Sequence, residues 1–512
     1  MDKRIRVMLV VLIVCFALLF VQLNNLQVHQ AAALNASQYQ PSLPGVIDPY
    51  AVTRGDIVSA DGHIMAYSGP DNPKDQYGPQ RIYPDGLLFA EVTGYSDVVD
   101  SNTTGLEYQY NQYLVKHQAS ANSLHGLLTE QAGTDTVATT VLYALQKVAE
   151  QALAPYSQGA VVAIDPQNGN ILAMYGKPIF DPNQMAGHDP NKVAAYYKSL
   201  NPSSGTSPLV NSATARTYHP GSTMKVVTTS AIFDHQQSIE TQVFPQLTAL
   251  KLPETNLKLH NFGGEKCGGT LAEALAVSCD TAYGKIGLEL GASALSQEAA
   301  AFGFNQKPPI DIPSSEVATS CFPPLVNTAY HVSNCPSGPG VAIGPGNLPA
   351  VAYSAIGQSN VAESALQNAL IVAGIANGGV IMAPHFMSAI VNNQGQVVTT
   401  YKPHVYLNAT TQDTADSVRQ LMRGVVTGGT ASGLFPSNLN IAAKTGTAEA
   451  GPGSCSSTWL VAFGPAGPTD TPRIAVAAVV PAQSAIGCSE TGAGIAGPVV
   501  AKVVDAYLLG TK

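Results

Sequence analysis

The first pattern in the chain is a long apolar run close to its start. Residues 7–21 are unbroken apolar sequence, and three basic side chains precede them within the first six residues. Counted with its flanks, this run predicts one transmembrane helix over residues 7–24. The basic flank predicts that residues 1–6 stay in the cytoplasm and that the rest of the chain lies outside the cell. A cleaved signal peptide, processed near residues 31–33, is the alternative.

Two pairs of shorter apolar runs are typical of strands. Residues 160–164 and 171–175 flank an Asp-Pro-Gln-Asn-Gly-Asn segment, which is turn chemistry, so they predict an antiparallel hairpin. Residues 459–463 and 474–480 predict a second pair, and a helix over 498–509 closes the chain. Strands at both ends with helices between them predict a mixed α+β fold. In the expected fold, strands from the two ends of this region pair in one antiparallel sheet, and helices flank that sheet. A helical lobe is inserted in the sequence between those strands.

The region between the apolar run and these strands shows no cluster of residues typical of a catalytic or metal site. An Asp61-Gly62 turn predicts a hairpin, and apolar residues at helical spacing predict a helix over residues 139–153. Paired acids, clustered histidines and cysteines are all absent from this stretch of sequence. We therefore expect a smaller, mixed, non-catalytic pedestal or interaction domain over residues 25–154, followed by the domain that carries the chemistry over residues 155–512.

The composition and net charge indicate what kind of chain this is and which partner is excluded. Only 12% of the residues are charged and 45% are hydrophobic, which is typical of a folded chain. The formal charge of −9, without a run of Lys or Arg, argues against nucleic acid as a partner.

Seven cysteines agree with an exported protein. Cys15 lies in the apolar run, and an even number remains outside it. Neighbours along the sequence could pair as disulfides, and a pair within residues 313–349 could brace this Pro-, Gly- and Ser-rich loop. Buried free thiols are the alternative, and the sequence does not fix the connectivity. No Cys-x-x-Cys or His-x-x-x-His spacing predicts a metal, and no cofactor is predicted. The candidate pairs are Cys267 with Cys279, Cys321 with Cys335, and Cys455 with Cys488.

The strongest chemical signal is a serine three residues ahead of a lysine. If a helix begins at about Ser222, then Ser222 and Lys225 share one face, with Cβ atoms roughly 5–6 Å apart. Burial near a helix N-terminus lowers the pKa of an amine, which could then take the hydroxyl proton and leave a nucleophile. Pro220-Gly221 suits the turn into such a helix. The spacing alone is common, so the motif gains its weight from residues farther along the chain.

Two further motifs stand downstream in a fixed order. Ser278-Cys279-Asp280 ends an apolar, helix-like segment, and Lys444-Thr445-Gly446-Thr447 comes directly after a strand-like one. This ordered trio of motifs resembles that of the penicillin-recognising serine enzymes. The chain is most similar to class B penicillin-binding proteins, which are monofunctional D,D-transpeptidases, and within them to the actinobacterial penicillin-binding protein A group. Further landmarks of the resemblance are Arg54-Gly55-Asp56-Ile57, Gly94-Tyr95, Gly105-Leu106-Glu107, Ala355-Ile356-Gly357-Gln358 and Ala376-Asn377-Gly378-Gly379.

The resemblance implies a serine β-lactamase/D,D-peptidase-like transpeptidase fold and a set of catalytic roles. Ser222 would be the nucleophile and Lys225 the base for acylation, while Ser278 would relay the proton to the leaving D-alanine. The backbone N–H groups of Ser222 and Thr447 would form the oxyanion hole.

The third motif would hold the substrate's terminal carboxylate. The resemblance implies that Lys444 adds positive potential there and that Thr445 and Thr447 offer hydroxyl groups. Gly446 would let the substrate backbone approach the strand closely.

One residue departs from the family pattern. Asp280 stands where asparagine is usual, and an ionised carboxylate only accepts hydrogen bonds. Near Lys225 it would raise the lysine pKa and weaken the amine as a base. We expect Asp280 chiefly to orient Lys225, at some loss of β-lactam acylation rate. A Cys267–Cys279 disulfide could fix the loop that carries Ser278.

The function implied is peptidoglycan cross-linking through a serine acyl-enzyme, in growth or division, with stem peptides and a lipid-linked precursor as substrates. β-Lactam antibiotics would acylate the same serine, and a membrane glycosyltransferase would be the partner. A D,D-carboxypeptidase, a β-lactamase of the same fold and a non-catalytic penicillin-binding sensor or scaffold are the alternatives. The length argues against a class A β-lactamase, and the few cytoplasmic residues argue against a sensor. The sequence does not distinguish elongation from division, nor identify the acceptor diamino acid.

Overall fold

A computed structural model describes most of the chain after the apolar run. The described residues are 4, 12–20, 53–71, 75, 77–115, 133–328, 335, 340–449, 456–483 and 490–510. Residues 12–20 are helical, and the remainder of the predicted 7–24 anchor lies outside the described residues. Among the described helices, none combines the length and apolar character needed to cross a membrane.

A five-stranded antiparallel sheet forms the centre of the larger region. Its strands are β7 (Gly159–Ile164), β8 (Ile171–Lys177), β17 (Ala442–Glu449), β18 (Ser456–Gly464) and β19 (Ile474–Val480). Strands β7 and β8 pair as the predicted hairpin, and β17, β18 and β19 form a meander whose last strand pairs with β7. The sheet thus joins strands from both ends of this region, as the apolar pattern predicts.

Both faces of this sheet are covered, because every residue of β7 and β19 is buried. Helices α4 (Tyr143–Leu153) and α13 (Ala496–Leu509) pack against each other and against the sheet, and α11 (Ala365–Ala376) also packs on it. The mixed fold with helices flanking an antiparallel sheet is confirmed.

A lobe rich in helices is inserted between β8 and β17. The helices of the lobe and its approaches are α5 (Pro182–Met185), α6 (Pro190–Ser199), α7 (Lys225–His235), α8 (Leu271–Ala276), α9 (Asp280–Ala301), α10 (Leu348–Ala355) and α12 (Gln412–Gly428). Its short strands are β9 (Phe244–Leu247), β10 (Ala249–Lys251), β11 (Lys258–His260), β12 (Cys267–Gly269), β13 (Val380–Met382) and β16 (Val405–Asn408). Helix α9 has a break at Gly291, and it packs on both α7 and α10.

The pedestal is built on a six-stranded sheet. Its strands are β1 (Ile57–Val58), β2 (Ile64–Ser68), β3 (Arg81–Ile82), β6 (Thr136–Thr139), β14 (Met387–Val391) and β15 (Val397–Thr400). The smaller elements are β4 (Ser96–Asp97), β5 (Asn102–Thr103), α1 (Gly86–Thr93), α2 (Gly105–Gln109) and α3 (Asn111–Leu114). The strand order is β15-β14-β6-β1-β2-β3, so two strands come from the region that the sequence assigned to the chemistry. The pedestal is therefore not a contiguous segment.

The predicted helix over residues 139–153 begins too early. Thr139 is the last residue of β6, and it pairs with Met387 of β14, while α4 starts only at Tyr143. The β-branched residues of β6 favour a strand, and the partner that stabilises this strand lies almost 250 residues away.

A buried ion cluster joins two of the sequence landmarks in the pedestal. Glu107 accepts hydrogen bonds from Arg54 Nε at 2.8 Å and from Arg81 Nε at 2.6 Å, and all three side chains are almost completely buried. Burial opposes ionisation of Glu107, yet Arg81 and Arg54 hold its pKa below the ordinary value. The glycines of two landmarks meet nearby, because a Cβ on Gly105 would lie 2.6 Å from the nitrogen of Gly94.

Two of the three candidate disulfides are present in the structure. Cys267 is bonded to Cys279, and Cys321 is bonded to Cys335. Cys455 and Cys488 lie outside the described residues.

Candidate active site

Ser222 lies in a 3₁₀ turn, Gly221–Met224, that leads directly into α7 at Lys225. The predicted helix start is therefore correct to within one residue, with a tighter first turn than a regular α-helix. Gly221 has a φ of +56°, and a Cβ there would lie 2.6 Å from the carbonyl oxygen of Thr447. Only glycine lets this turn lie so close to β17. The contact brings together the two backbone segments assigned to the oxyanion hole.

Lys225 connects the turn to the second motif. Its side chain is completely buried, and its Nζ donates to the carbonyl oxygen of Ser278 at 2.7 Å, to Ser278 Oγ at 3.2 Å and to Asp280 Oδ1 at 2.7 Å. The ring of Tyr283 lies 5.4 Å from the same amine. None of these three hydrogen bonds is to Ser222. Catalytic hydrogen bonds are often long or poorly aligned in a free enzyme and tighten when substrate binds, so the lack of this bond does not exclude Lys225 as the base for Ser222.

Ser278 lies between two lysine amines. It joins α8 to α9 with a φ of +60°, a conformation that costs a residue with a side chain about 1 kcal/mol or more. Its Oγ accepts from Lys444 Nζ at 2.8 Å as well as from Lys225. Since both bonds use the oxygen as acceptor, the hydroxyl proton of Ser278 is left to point elsewhere.

The two amines have pKa values below the ordinary value of lysine. Burial lowers the pKa of Lys225, while the carboxylate of Asp280 acts in the opposite direction. Burial lowers the pKa of Lys444 further, the nearby Lys225 adds to this, and Asp280 again opposes it. The expectation that Asp280 raises the pKa of Lys225 thus has the correct sign, but burial of the amine outweighs it.

Strand β17 places the third motif beside these groups. Thr445 and Thr447 alternate with Lys444 and Gly446 along the strand. Thr447 Oγ1 accepts from the backbone nitrogen of Gly492 at 3.2 Å. A Cβ on Gly446 would lie 2.8 Å from the carbonyl oxygen of Pro220. The three motifs therefore come together between β17, α7 and the start of α9, and we call the region between these elements the crevice.

Sequence reasoning missed several residues around this crevice. Thr430 lies just after α12, and its Oγ1 is 2.6 Å from Thr445 Oγ1. Thr223, inside the first motif, accepts from Asn368 Nδ2 at 3.0 Å and lies 3.4 Å from Glu363 Oε1. These partners come from distant parts of the chain, and no local sequence pattern predicts them. The Gly-Gly pair ahead of Thr430 is the one signal that a close approach was required there.

Comparison with known proteins gives the class to which this arrangement belongs. Residues 159–505 match the family model of the penicillin-binding protein transpeptidase domain, and residues 54–141 match the penicillin-binding protein A dimerisation domain. The chain belongs to the class B penicillin-binding protein transpeptidases, which confirms the resemblance drawn from the motifs.

Individual relatives specify the similarity further. The chain is 33% identical over 527 aligned residues to the peptidoglycan D,D-transpeptidase PbpA of Mycobacterium tuberculosis, with 99% of each chain covered. It is 32% identical to PbpA of Mycolicibacterium smegmatis, again with 99% of each covered. The ceftriaxone acyl-enzyme structure of penicillin-binding protein A from M. tuberculosis matches with a TM-score of 0.77 and 31% identity, covering 90% of this chain and all of that one.

Proposed function

We propose that this protein is a peptidoglycan D,D-transpeptidase that cross-links stem peptides through an acyl-enzyme on Ser222. The observation that carries the proposal is that Ser278 Oγ accepts hydrogen bonds from both Lys225 and Lys444, which lie 53 and 166 residues away in the sequence, next to the turn that carries Ser222. Penicillin-binding protein A of M. tuberculosis forms acyl-enzymes with ceftriaxone, imipenem and penicillin G, which supports a serine that reacts with β-lactams here.

The first half of the reaction would transfer the donor acyl group to the enzyme. Ser222 Oγ attacks the carbonyl carbon of the penultimate D-alanine, and neutral Lys225 takes the hydroxyl proton. A buried amine with a lowered pKa is suited to this step. The oxyanion is held by the backbone N–H groups of Ser222 and Thr447, each worth about 3–4 kcal/mol. The C–N bond breaks as the proton reaches the leaving nitrogen through Ser278, and D-alanine departs.

The second half would use an amine from another stem peptide. This amine attacks the ester carbonyl, loses a proton to the same group of bases and forms the new amide. Ser222 leaves with a proton and regains its hydroxyl group. Lys444, Thr445 and Thr447 bind the donor's terminal carboxylate before acylation, with Gly446 allowing the close approach. A β-lactam whose carboxylate occupies the same place would acylate Ser222 and remain attached.

We also propose that residues 7–24 anchor the protein in the cell membrane, with residues 1–6 in the cytoplasm and the transpeptidase domain outside the cell. The apolar run and its basic flank support this topology. A membrane glycosyltransferase that supplies glycan strands is the partner we propose for the assembled protein.

The test of the function separates transfer from hydrolysis. The detergent-solubilised full chain is incubated with a peptide ending in D-Ala-D-Ala and with a diamino-acid acceptor peptide. A transpeptidase gives the cross-linked amide as the main product, while a carboxypeptidase gives the shortened peptide and D-alanine. Mass spectrometry of the benzylpenicillin adduct should locate the acyl group on Ser222. An adduct on any other residue, or the absence of both products, would overturn the proposal.

At neutral pH, we expect benzylpenicillin to acylate the Asp280→Asn variant faster than the wild type. Asparagine keeps an oxygen that accepts from Lys225 but removes the charge that raises the pKa of Lys225. More of the amine is then neutral, so the rising limb of the pH–rate profile moves to lower pH. The gain should be about 3- to 10-fold, a fraction of what a positioned base contributes. A slower variant with an unmoved profile would show that the charge assists the reaction.

A further inference from the structure

The hydroxyl group of Thr445 has a partner that no motif of the family trio includes. Thr430 Oγ1 lies 2.6 Å from Thr445 Oγ1, and Thr445 itself is 6% exposed. At this separation the two hydroxyl groups share one hydrogen bond, in which either could be the donor. The direction of this bond decides what Thr445 can offer to a ligand.

Thr430 is fixed between two parts of the crevice. Its backbone nitrogen donates to the carbonyl oxygen of Ala276 at 3.0 Å, two residues before Ser278. The preceding glycine, Gly429, lies so close to Ala276 that a Cβ there would collide with the same oxygen. The Thr430 hydroxyl is thus held against β17 by backbone contacts that a change of its side chain leaves in place.

The other threonine of β17 shows which direction suits the site. Thr447 Oγ1 accepts from the backbone N–H of Gly492, and a backbone N–H can only donate. The hydroxyl proton of Thr447 is therefore available to an acceptor in the crevice. A carboxylate only accepts, so a site for it needs both threonine hydroxyls turned as donors.

We propose that Thr430 is a positioning residue that donates its hydroxyl proton to Thr445 Oγ1 and so directs the Thr445 hydroxyl toward the donor carboxylate. The inference rests on the proposed function, in which Thr445 and Thr447 bind that carboxylate. Hydrogen bonds in a chain polarise one another, so Thr445 becomes a better donor when its oxygen is already an acceptor. The Oγ1 atoms of both threonines then each accept one hydrogen bond, that of Thr445 from the Thr430 hydroxyl and that of Thr447 from the backbone N–H of Gly492.

The test compares Thr430→Val with the wild type, using benzylpenicillin and its methyl ester, in which the carboxylate charge is absent. Valine keeps the β-branched shape and the backbone bond to Ala276 while removing the hydroxyl. We expect the second-order rate of acylation by benzylpenicillin to fall about 3- to 10-fold. The rate with the methyl ester should change less than about twofold, and Thr430→Ser should restore the wild-type rate with benzylpenicillin.

Thr427→Val is the matched control, since Thr427 is exposed on the last turn of α12. It should leave both rates unchanged. Equal losses with both reagents would show that Thr430 only packs the crevice, and unchanged rates in Thr430→Val would show that Thr445 needs no orienting partner. Either result overturns the inference. A wild-type chain that fails to react with benzylpenicillin at all would instead refute the proposed function.

Discussion

Ser222→Ala is expected to lose the benzylpenicillin adduct and the cross-linking activity together, with a rate loss of at least about 10⁴-fold. The hydroxyl oxygen is the atom that forms the ester bond, and the two lysine amines cannot replace it in the same geometry. Gel labelling with a fluorescent penicillin and product analysis by mass spectrometry measure the two losses. The melting temperature should stay close to that of the wild type, because the side chain is only partly buried.

The control for this variant is Ser417→Ala, which removes a half-buried serine hydroxyl that donates to the carbonyl oxygen of Asp413 within helix α12. It should label and turn over as the wild type does. Persistent labelling of Ser222→Ala, with the adduct mapped to another serine, would show that acylation does not occur at this crevice.

The sequence predicts the chemistry of the crevice better than the contacts that organise it. A spacing of three residues places Ser222 and Lys225 on one helical face by geometry alone, and the structure begins its helix within a residue of that position. The hydrogen bonds of Lys225 go to Ser278 and Asp280, more than 50 residues away. Their proximity came from the ordered motifs and the family they indicate, since helical periodicity says nothing about long-range partners.

The same limit explains the errors in the fold. The two hairpins of the central sheet were predictable because each strand comes directly after its partner and a turn. In the pedestal the Asp61-Gly62 hairpin was predictable for the same reason, and it pairs β1 with β2. The sheet as a whole was not, because Ile390 of β14 pairs with Val137 of β6 across more than 250 residues. An apolar alternation identifies a strand and its buried face but does not name the strand beside it. Thr430 and Glu363 were missed for the same reason, because their role depends on partners that lie far away in the sequence.

Removing the charge of Glu107 is expected to cause a large loss of stability. Glu107→Gln leaves Arg54 and Arg81 buried without the carboxylate that both of them contact, although the Gln oxygen can still accept hydrogen bonds. Breaking a buried ion pair by removing one partner costs about 3–5 kcal/mol, because the remaining charge stays desolvated. The expected result is a fall in the melting temperature of roughly 5–10 °C. Below that temperature, acylation by benzylpenicillin should proceed at the wild-type rate.

Glu289→Gln is the control that separates the effect of breaking a buried ion pair from the effect of removing a glutamate charge. Glu289 pairs with Lys285 at 3.5 Å on α9, with the two side chains 28% and 39% exposed. An exposed pair of this kind contributes about 0.3–0.5 kcal/mol, so its loss should hardly move the melting temperature. Equal shifts in the two variants would mean that the arginines of the pedestal find other compensation when Glu107 is neutral. A large shift in Glu107→Gln alone would instead identify the meeting of the Arg54 and Glu107 landmarks as an electrostatic requirement of the fold, separate from the chemistry at Ser222.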